Sequence, residues 1–338
     1  MRRLTLILSD LYLPADAARE SFPATLDLPA LEWLLRFARE PRAIADWRRW
    51  VAREIKAGEL ADLPVAHTCA LAAALPPRGA WIATPVSLEA RLNHVRLHDR
   101  GLLHLELPER QTLQREFSHV FGHSMALSGG VHSPFVLSGG PDADIPTQDP
   151  ARLLDSDISR ALPSASGAAG ELRRLGTEIE MWLHGSSVNA EREKTGRARV
   201  SALWLWGGGA CRTEVRGTPE RPAVRLFGDD IYVHALRGLL GTRATEPMPC
   251  RFAELRDGPP TFVELAPMSG SRPESLAELE LNWFAPARDA LSAGKLESLR
   301  LVANDRLFEI APRAGLRFWR RRRGWLESLG RAARMTEA

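Results

Sequence analysis

Apolar and polar positions along the chain switch repeatedly between a period of two or a short unbroken run and the helical period of 3.6. Leu4 to Ser9 reads as a buried strand with Asp10 at its carboxyl end. Leu31, Leu34, Leu35 and Ala38 then fall at helical spacing, Pro41 interrupts it, and Trp47, Trp50 and Val51 resume it. Pro76 to Gly79 marks a turn, after which Trp81 to Val86 and His94 to His98 read as short strands. Gln111 to His123 is helical through Leu113, Phe117, Val120 and Phe121, and Phe135 to Leu137 is a strand between glycine pairs. A small, flexible stretch from Ser164 to Gly170 leads into an amphipathic helix marked by Leu172, Leu175, Ile179, Trp182 and Leu183. Past residue 209 the pattern predicts strands at Val224 to Phe227, Thr261 to Leu265 and Leu299 to Ala303, with helices at Tyr232 to Leu240 and Ser275 to Ala293. Alternation of this kind without an internal repeat predicts an α/β fold.

The densest local signal is His184-Gly-Ser-Ser-Val-Asn-Ala-Glu-Arg-Glu-Lys-Thr-Gly-Arg-Ala-Arg-Val-Ser-Ala-Leu-Trp-Leu-Trp-Gly-Gly-Gly209. Its first half collects Asn189, Arg192, Lys194 and Arg197, donors suited to an anionic oxygen. Its second half, Val200 to Trp206, reads as a buried strand ending in three glycines. The same donors also suit a bland role, bracing the segment through ion pairs with Glu191 or Glu193.

This stretch resembles the segment H-P-[VI]-N-x-x-R-x-x-x-G-x-x-P-[AV]-N-x-x-W-x-W-G-x-G of archaeal-type cofactor-independent phosphoglycerate mutases, members of the alkaline phosphatase superfamily. Ser133-Pro-Phe-Val-Leu-Ser-Gly-Gly-Pro-Asp-Ala-Asp-Ile-Pro-Thr-Gln-Asp149-Pro150 is similar to their hydrophobic strand followed by T-D-P, and His98-Asp-Arg-Gly101 to their D-R-x-A-G turn. Asp46-Trp-Arg-Arg-Trp, Trp81-Ile-Ala-Thr-Pro-Val, Leu92-Asn-His-Val-Arg-Leu-His-Asp-Arg-Gly-Leu, Asp149-Pro-Ala-Arg-Leu-Leu, Glu178-Ile-Glu-Met-Trp-Leu-His and Phe318-Trp-Arg-Arg-Arg together resemble the RpfE-type bacterial regulatory proteins over nearly the whole chain.

The resemblance implies a trimmed alkaline-phosphatase-like core sheet, formed by residues 1–85 and 211–338, with an inserted α/β domain at 86–210. It also implies an anion or substrate site at Asp149, His184, Asn189, Arg192, Lys194 and Arg197. Two departures weaken that site: Ser201 stands for the motif's second Asn, and the H-P-V-N tetrapeptide reads Ser186-Ser-Val-Asn189. The superfamily's two-metal chemistry needs an early Asp, a Ser or Thr nucleophile and a late Asp-His set. Asp10 stands for the first, but His234 is the only histidine after residue 210, and Asp305 is followed by Arg306. The implied protein is therefore a catalytically degenerate mutase relative without metal or cofactor, serving regulation by binding a phosphorylated small molecule or a protein partner. The alternative is an active mutase or related metal-dependent phosphotransferase.

Composition narrows the remaining classes. With 338 residues, 44% of them hydrophobic and 26% charged, the chain has the makings of a large core. A net charge of +3 is too small for a nucleic-acid-scale field. Ten tryptophans against two tyrosines point to a packed interior or a docking surface. Cys69, Cys211 and Cys250 are odd in number and far apart, which fits inert core thiols in a reducing compartment. No apolar window reaches a membrane span, and the short apolar start lacks an export signal's length, so a cytoplasmic protein is expected.

Other motifs read as structural. His94 with His98 and His119 with His123 have a zinc-like spacing but lack the Glu of H-E-x-x-H. Gly207 to Gly209 belongs to no nucleotide-loop pattern, and Glu178 and Glu180 do not form a facing acid–base pair. The tail Phe318-Trp-Arg-Arg-Arg-Arg-Gly-Trp325 pairs basic with aromatic residues, as nucleic-acid grooves and anionic membrane surfaces use. Its expected role is to dock Phe318, Trp319 and Trp325 in the core while the arginines stay in solvent.

Overall fold

A computed structural model describes residues 2–13, 26–92, 94–129, 134–212, 223–241, 247–267, 275–316 and 319–330. In chain order the elements are β1 (Arg2–Leu8), α1 (Pro29–Phe37), β2 (Arg42–Ala43), α2 (Trp47–Glu54), α3 (Val65–Ala72), β3 (Trp81–Ala90) and β4 (Val95–Leu102). Next come α4 (Leu107–Phe121), β5 (Ala126–Ser128), β6 (Phe135–Ser138), β7 (Ser156–Asp157), α5 (Gly167–His184), α6 (Ser187–Lys194) and β8 (Ala202–Trp206). The last part holds β9 (Arg225–Phe227), α7 (Ile231–Leu239), β10 (Thr261–Leu265), α8 (Leu276–Leu279), α9 (Ala285–Ser292), β11 (Leu296–Ala303), β12 (Arg306–Ile310) and α10 (Trp325–Gly330).

The α/β reading is correct, and the chain divides into two compact units. The first comprises residues 1–56, 221–229 and 241–338, the second 57–220 and 230–240. The second unit thus starts upstream of residue 86 and recruits α7 from the carboxyl-terminal part of the chain.

In the first unit the sheet order is β2-β12-β11-β1-β10-β9. β1 lies parallel to both β10 and β11, and β9 is parallel to β10. Because both faces of a central parallel strand are covered, Leu4, Leu6, Ile7 and Leu8 of β1 are all buried, whichever face they point to. β12 returns antiparallel to β11. Sequence patterning missed this strand, although Asn304 and Asp305, at φ 47° and 58°, are the two left-handed residues that a tight hairpin turn requires. The Asp305 position that the resemblance compares with a metal-binding Asp-His is therefore a hairpin turn.

A long-range cap anchors α1. Pro29 occupies its first turn, where a missing N–H costs nothing. Glu280 then accepts hydrogen bonds from the next two amides, of Ala30 and of Leu31, the latter at 3.0 Å. Glu280 comes from a single π turn, Glu280–Phe284, set between α8 and α9. Burial raises its carboxyl pKa against the lowering effect of the two amides.

The second unit has an antiparallel sheet of order β5-β6-β3-β4-β7, with β8 paired to β3 at Ile82 to Val86. α4 and α5 pack on its apolar side through Leu113, Phe117, Leu172, Leu175, Ile179 and Leu183. Trp182 stands edge-on to Phe117 and Phe121, with ring centroids 5.5 Å and 5.9 Å away. Val120, counted in the helical pattern, instead faces solvent.

Most described tryptophans are interior, Trp81 and Trp283 completely so. The tail expectation divides. Trp325 is buried and its indole donates to the Leu26 carbonyl at 3.2 Å, whereas Trp319 is 70% exposed. Phe318 lies outside the described residues. Only Cys69 among the three thiols is buried; Cys250 is exposed and Cys211 half-buried, so the expectation of three core thiols fails. Among the described residues no helix is long and apolar enough to cross a membrane.

Candidate functional site

The donor-rich half of the signature is the helix α6. Ser186 caps its start by accepting from Val188 N at 3.2 Å, and Gly196, at φ 67°, ends it. A helix here follows from local chemistry: a good cap, then residues of fair helix propensity, then a glycine stop.

Asn189 is 2% exposed and staples this helix to its surroundings. Its amide nitrogen donates to the carbonyls of Leu183 at 2.8 Å and Val200 at 2.9 Å, while its oxygen accepts from Val200 N at 2.8 Å. The side chain thus ties the end of α5 to the approach of β8. Arg192 is also buried; its Nε donates to the Ala198 carbonyl at 2.6 Å and its Nη1 pairs with Glu109 at 2.8 Å. Arg197 reaches the same α4 turn, pairing with Glu106 at 2.9 Å and Glu109 at 3.3 Å.

Glu116 completes an acidic stripe on α4, accepting from the Ser186 hydroxyl at 2.7 Å and from the amide and hydroxyl of Ser187. The brace is real but its partners differ from those expected. Glu106 and Glu109, more than 80 residues upstream of the arginines, fill the role that the sequence assigned to Glu191 or Glu193. Helical spacing on α4 is the signal that could have found them, since positions 106, 109 and 116 share one face.

The other expected site residues lie apart from this cluster. Lys194 is exposed, 3.5 Å from Glu191. His184 is exposed beside Arg199, which approaches its ring nitrogen at 3.4 Å. Asp149 accepts from Ala151 N at 3.0 Å, capping a single 3-10 turn, Pro150–Leu153. Its neighbour Gln148 accepts from the Trp204 indole at 2.8 Å. The glycine run has packing work: Gly207 adopts φ 70°, and a Cβ on Gly208 would stand 2.6 Å from the Trp81 ring.

A second polar group, of which the sequence marked only Asp10, gathers where the parallel strands of the first unit end. Open α/β sheets usually carry their sites at this carboxyl edge. Ser9 and Asp10 follow β1, Glu264 lies near the end of β10, and Gly228 and Asp229 follow β9. Ser9, through its hydroxyl, makes a short hydrogen bond to Glu264 Oε1, and Asp229 N donates to Oε2 at 2.9 Å. A side chain on Gly228 would collide with Glu264 at 2.6 Å, and its φ of 152° suits glycine alone. Ser9, Asp10 and Glu264 are each at most 5% exposed.

A hydroxyl bonded to a carboxylate is the local geometry of an activated nucleophile, but here both groups are closed off. The donor set does not fit the two-metal centre that the resemblance implies. Both Glu264 oxygens are bonded to protein donors. Among the described residues no group of three or more His, Cys, Asp or Glu is placed to hold a metal ion. His94 precedes β4 and His123 follows α4, so neither histidine pair lies within one element.

Comparison with known proteins gives a distant likeness. The chain is 27% identical over 132 residues to the 2,3-bisphosphoglycerate-independent phosphoglycerate mutase 2 of Methanothermobacter thermautotrophicus. The match takes in 38% of this chain and spans about a third (33%) of that relative's length. No protein-family profile matches. Among solved structures, the cofactor-independent phosphoglycerate mutase of Thermoplasma acidophilum superposes with a TM-score of 0.34 at 16% identity, covering 92% of this chain and 89% of its own. The PH0037 protein of Pyrococcus horikoshii gives 0.40 at 11% identity, covering 92% and 87%. Scores this low assign no residue and no activity. The chain is remotely similar to cofactor-independent phosphoglycerate mutases.

Proposed function

We propose that the protein is a catalytically degenerate relative of the cofactor-independent phosphoglycerate mutases that acts by binding, in a regulatory role of the kind the RpfE-type resemblance suggests. Its ligand on this reading is a phosphorylated metabolite or a protein partner. The observation that carries it is the carboxyl edge of the first unit, where buried Glu264 accepts from Ser9 and Asp229 and where, among the described residues, no group of three or more His, Cys, Asp or Glu is placed to hold a metal ion. The signature residues fit the same reading. Arg192 and Asn189 keep the motif's identity but serve as a brace, so a lineage mark persists where substrate contacts would otherwise be expected.

The test is turnover of 3-phosphoglycerate by the purified chain supplied with manganese, alongside a measurement of bound metal. Background rates and substoichiometric metal are expected. Turnover at about 1 per second or faster, abolished in a folded Asp10→Ala variant, would establish an active mutase instead.

A further inference from the structure

A cavity of about 240 Å³ opens in the second unit between α5, β8 and the segment 158–163. Its walls are mainly apolar, Leu172, Leu203, Leu205, Ile158 and Leu162 among them. For comparison, an engineered apolar cavity of about 150 Å³ holds benzene. None of the signature's donor groups, Asn189, Arg192, Lys194 or Arg197, lines it.

Three features of α5 distinguish this space from a packing defect. Arg173 and Glu180 both line it, yet among the described residues neither makes an ion pair. They stand seven residues apart, two helical turns or roughly 10 Å along one face. Between them lies Gly176, which also lines the cavity, and a Cβ built there meets nothing within 4 Å. Glycine weakens a helix interior, and here no neighbour forces its use. Its effect is to leave the middle of the cavity open. Glu180 faces solvent on one side, and the enclosure on its other side raises the carboxyl above its ordinary value by desolvation.

We propose that this cavity binds a small elongated amphipathic molecule whose apolar body lies over Gly176, with an anionic end at Arg173 and an ammonium or other N–H donor end at Glu180. Binding sites of this kind are concave and mostly apolar, with a few polar groups fixing the ligand's direction. The inference is independent of the mutase-like reading, since it uses neither the carboxyl edge nor the signature brace.

The probe is 4-(aminomethyl)benzoate, a single apolar ring with an ammonium and a carboxylate at opposite ends. Ligand-observed saturation-transfer NMR and isothermal titration on the full chain should show saturable binding at millimolar concentration. Glu180→Gln should weaken the probe about tenfold while leaving 4-methylbenzoate, which lacks the ammonium, unchanged. Arg173→Gln should weaken the probe and 4-methylbenzoate but not benzylamine. Gly176→Leu should abolish binding of all three. Because Arg173 and Glu180 are exposed, their variants keep the test usable even if Gly176→Leu fails to fold. Absence of saturable binding at 10 mM probe overturns the proposal, as does equal affinity in both charge variants and the parent chain.

Discussion

Arg192 in the signature helix and Glu264 at the carboxyl edge of the parallel sheet are both ionisable, both buried and both bonded to protein partners. They differ in how far the sequence betrays them. Arg192 stands in a run of donors dense enough to suggest an anion site, and its engagement with Glu109 is invisible because that partner lies 83 residues away. Glu264 stands alone in an apolar strand and attracts no notice until β1, β9 and β10 align. A rich local motif and a bare position thus end in the same kind of contact, a buried side chain bonded to protein partners. Charge density along the chain measures the supply of polar groups, whereas folding decides which of them remain available.

The sharpest way to break this comparison is Arg192→Ala. Removing one partner from a buried pair strands the other, so a loss of about 3–5 kcal/mol is expected in denaturant unfolding. Phosphate should stabilise parent and variant equally. A small stability loss together with a vanished phosphate effect would restore the anion-site reading and reverse the comparison.

Glu264→Ala sharpens the other side. It leaves the Asp229 amide and the Ser9 hydroxyl without their acceptor, although Ser9 retains the Leu265 carbonyl at 3.3 Å. The expected cost is about 1–3 kcal/mol. If the variant were as stable as the parent, the edge would be open to solvent and its role as a closed polar core would fail.

The smallest effect concerns Glu280, the acid that caps α1. Its folded-state pKa is raised above the ordinary 4.5 by burial, so the folded chain holds this proton to higher pH than the unfolded chain. Its linkage contribution is greatest below 4.5 and declines as pH rises through the folded-state value. Glu280→Gln should flatten that part of the stability profile, and Glu280→Ala should cost about 1–2 kcal/mol through loss of the cap. Parallel pH profiles for the parent chain and Glu280→Gln would show that the carboxyl titrates alike in both states.

Hydrophobic periodicity by itself determined the main elements. β1, α1, β3, α4, α5, β8 and β10 follow from runs and repeats that only one backbone geometry buries well. It also determined the α/β class, because alternation of the two periods leaves few ways to cover both kinds of element. Two elements escaped it: β12, Arg-Leu-Phe-Glu-Ile, is broken by charged residues and follows β11 directly, and α6 is so polar that its cap and glycine stop outweigh any apolar stripe. Only the tertiary structure decided how residues 57–85 and α7 join the second unit, why Trp325 is buried while Trp319 is exposed, and which carboxylates meet Arg192 and Arg197. Those outcomes depend on contacts between residues tens to hundreds of positions apart. Local propensity is blind to such contacts, and burial is a property of the assembled surface, not of any segment alone.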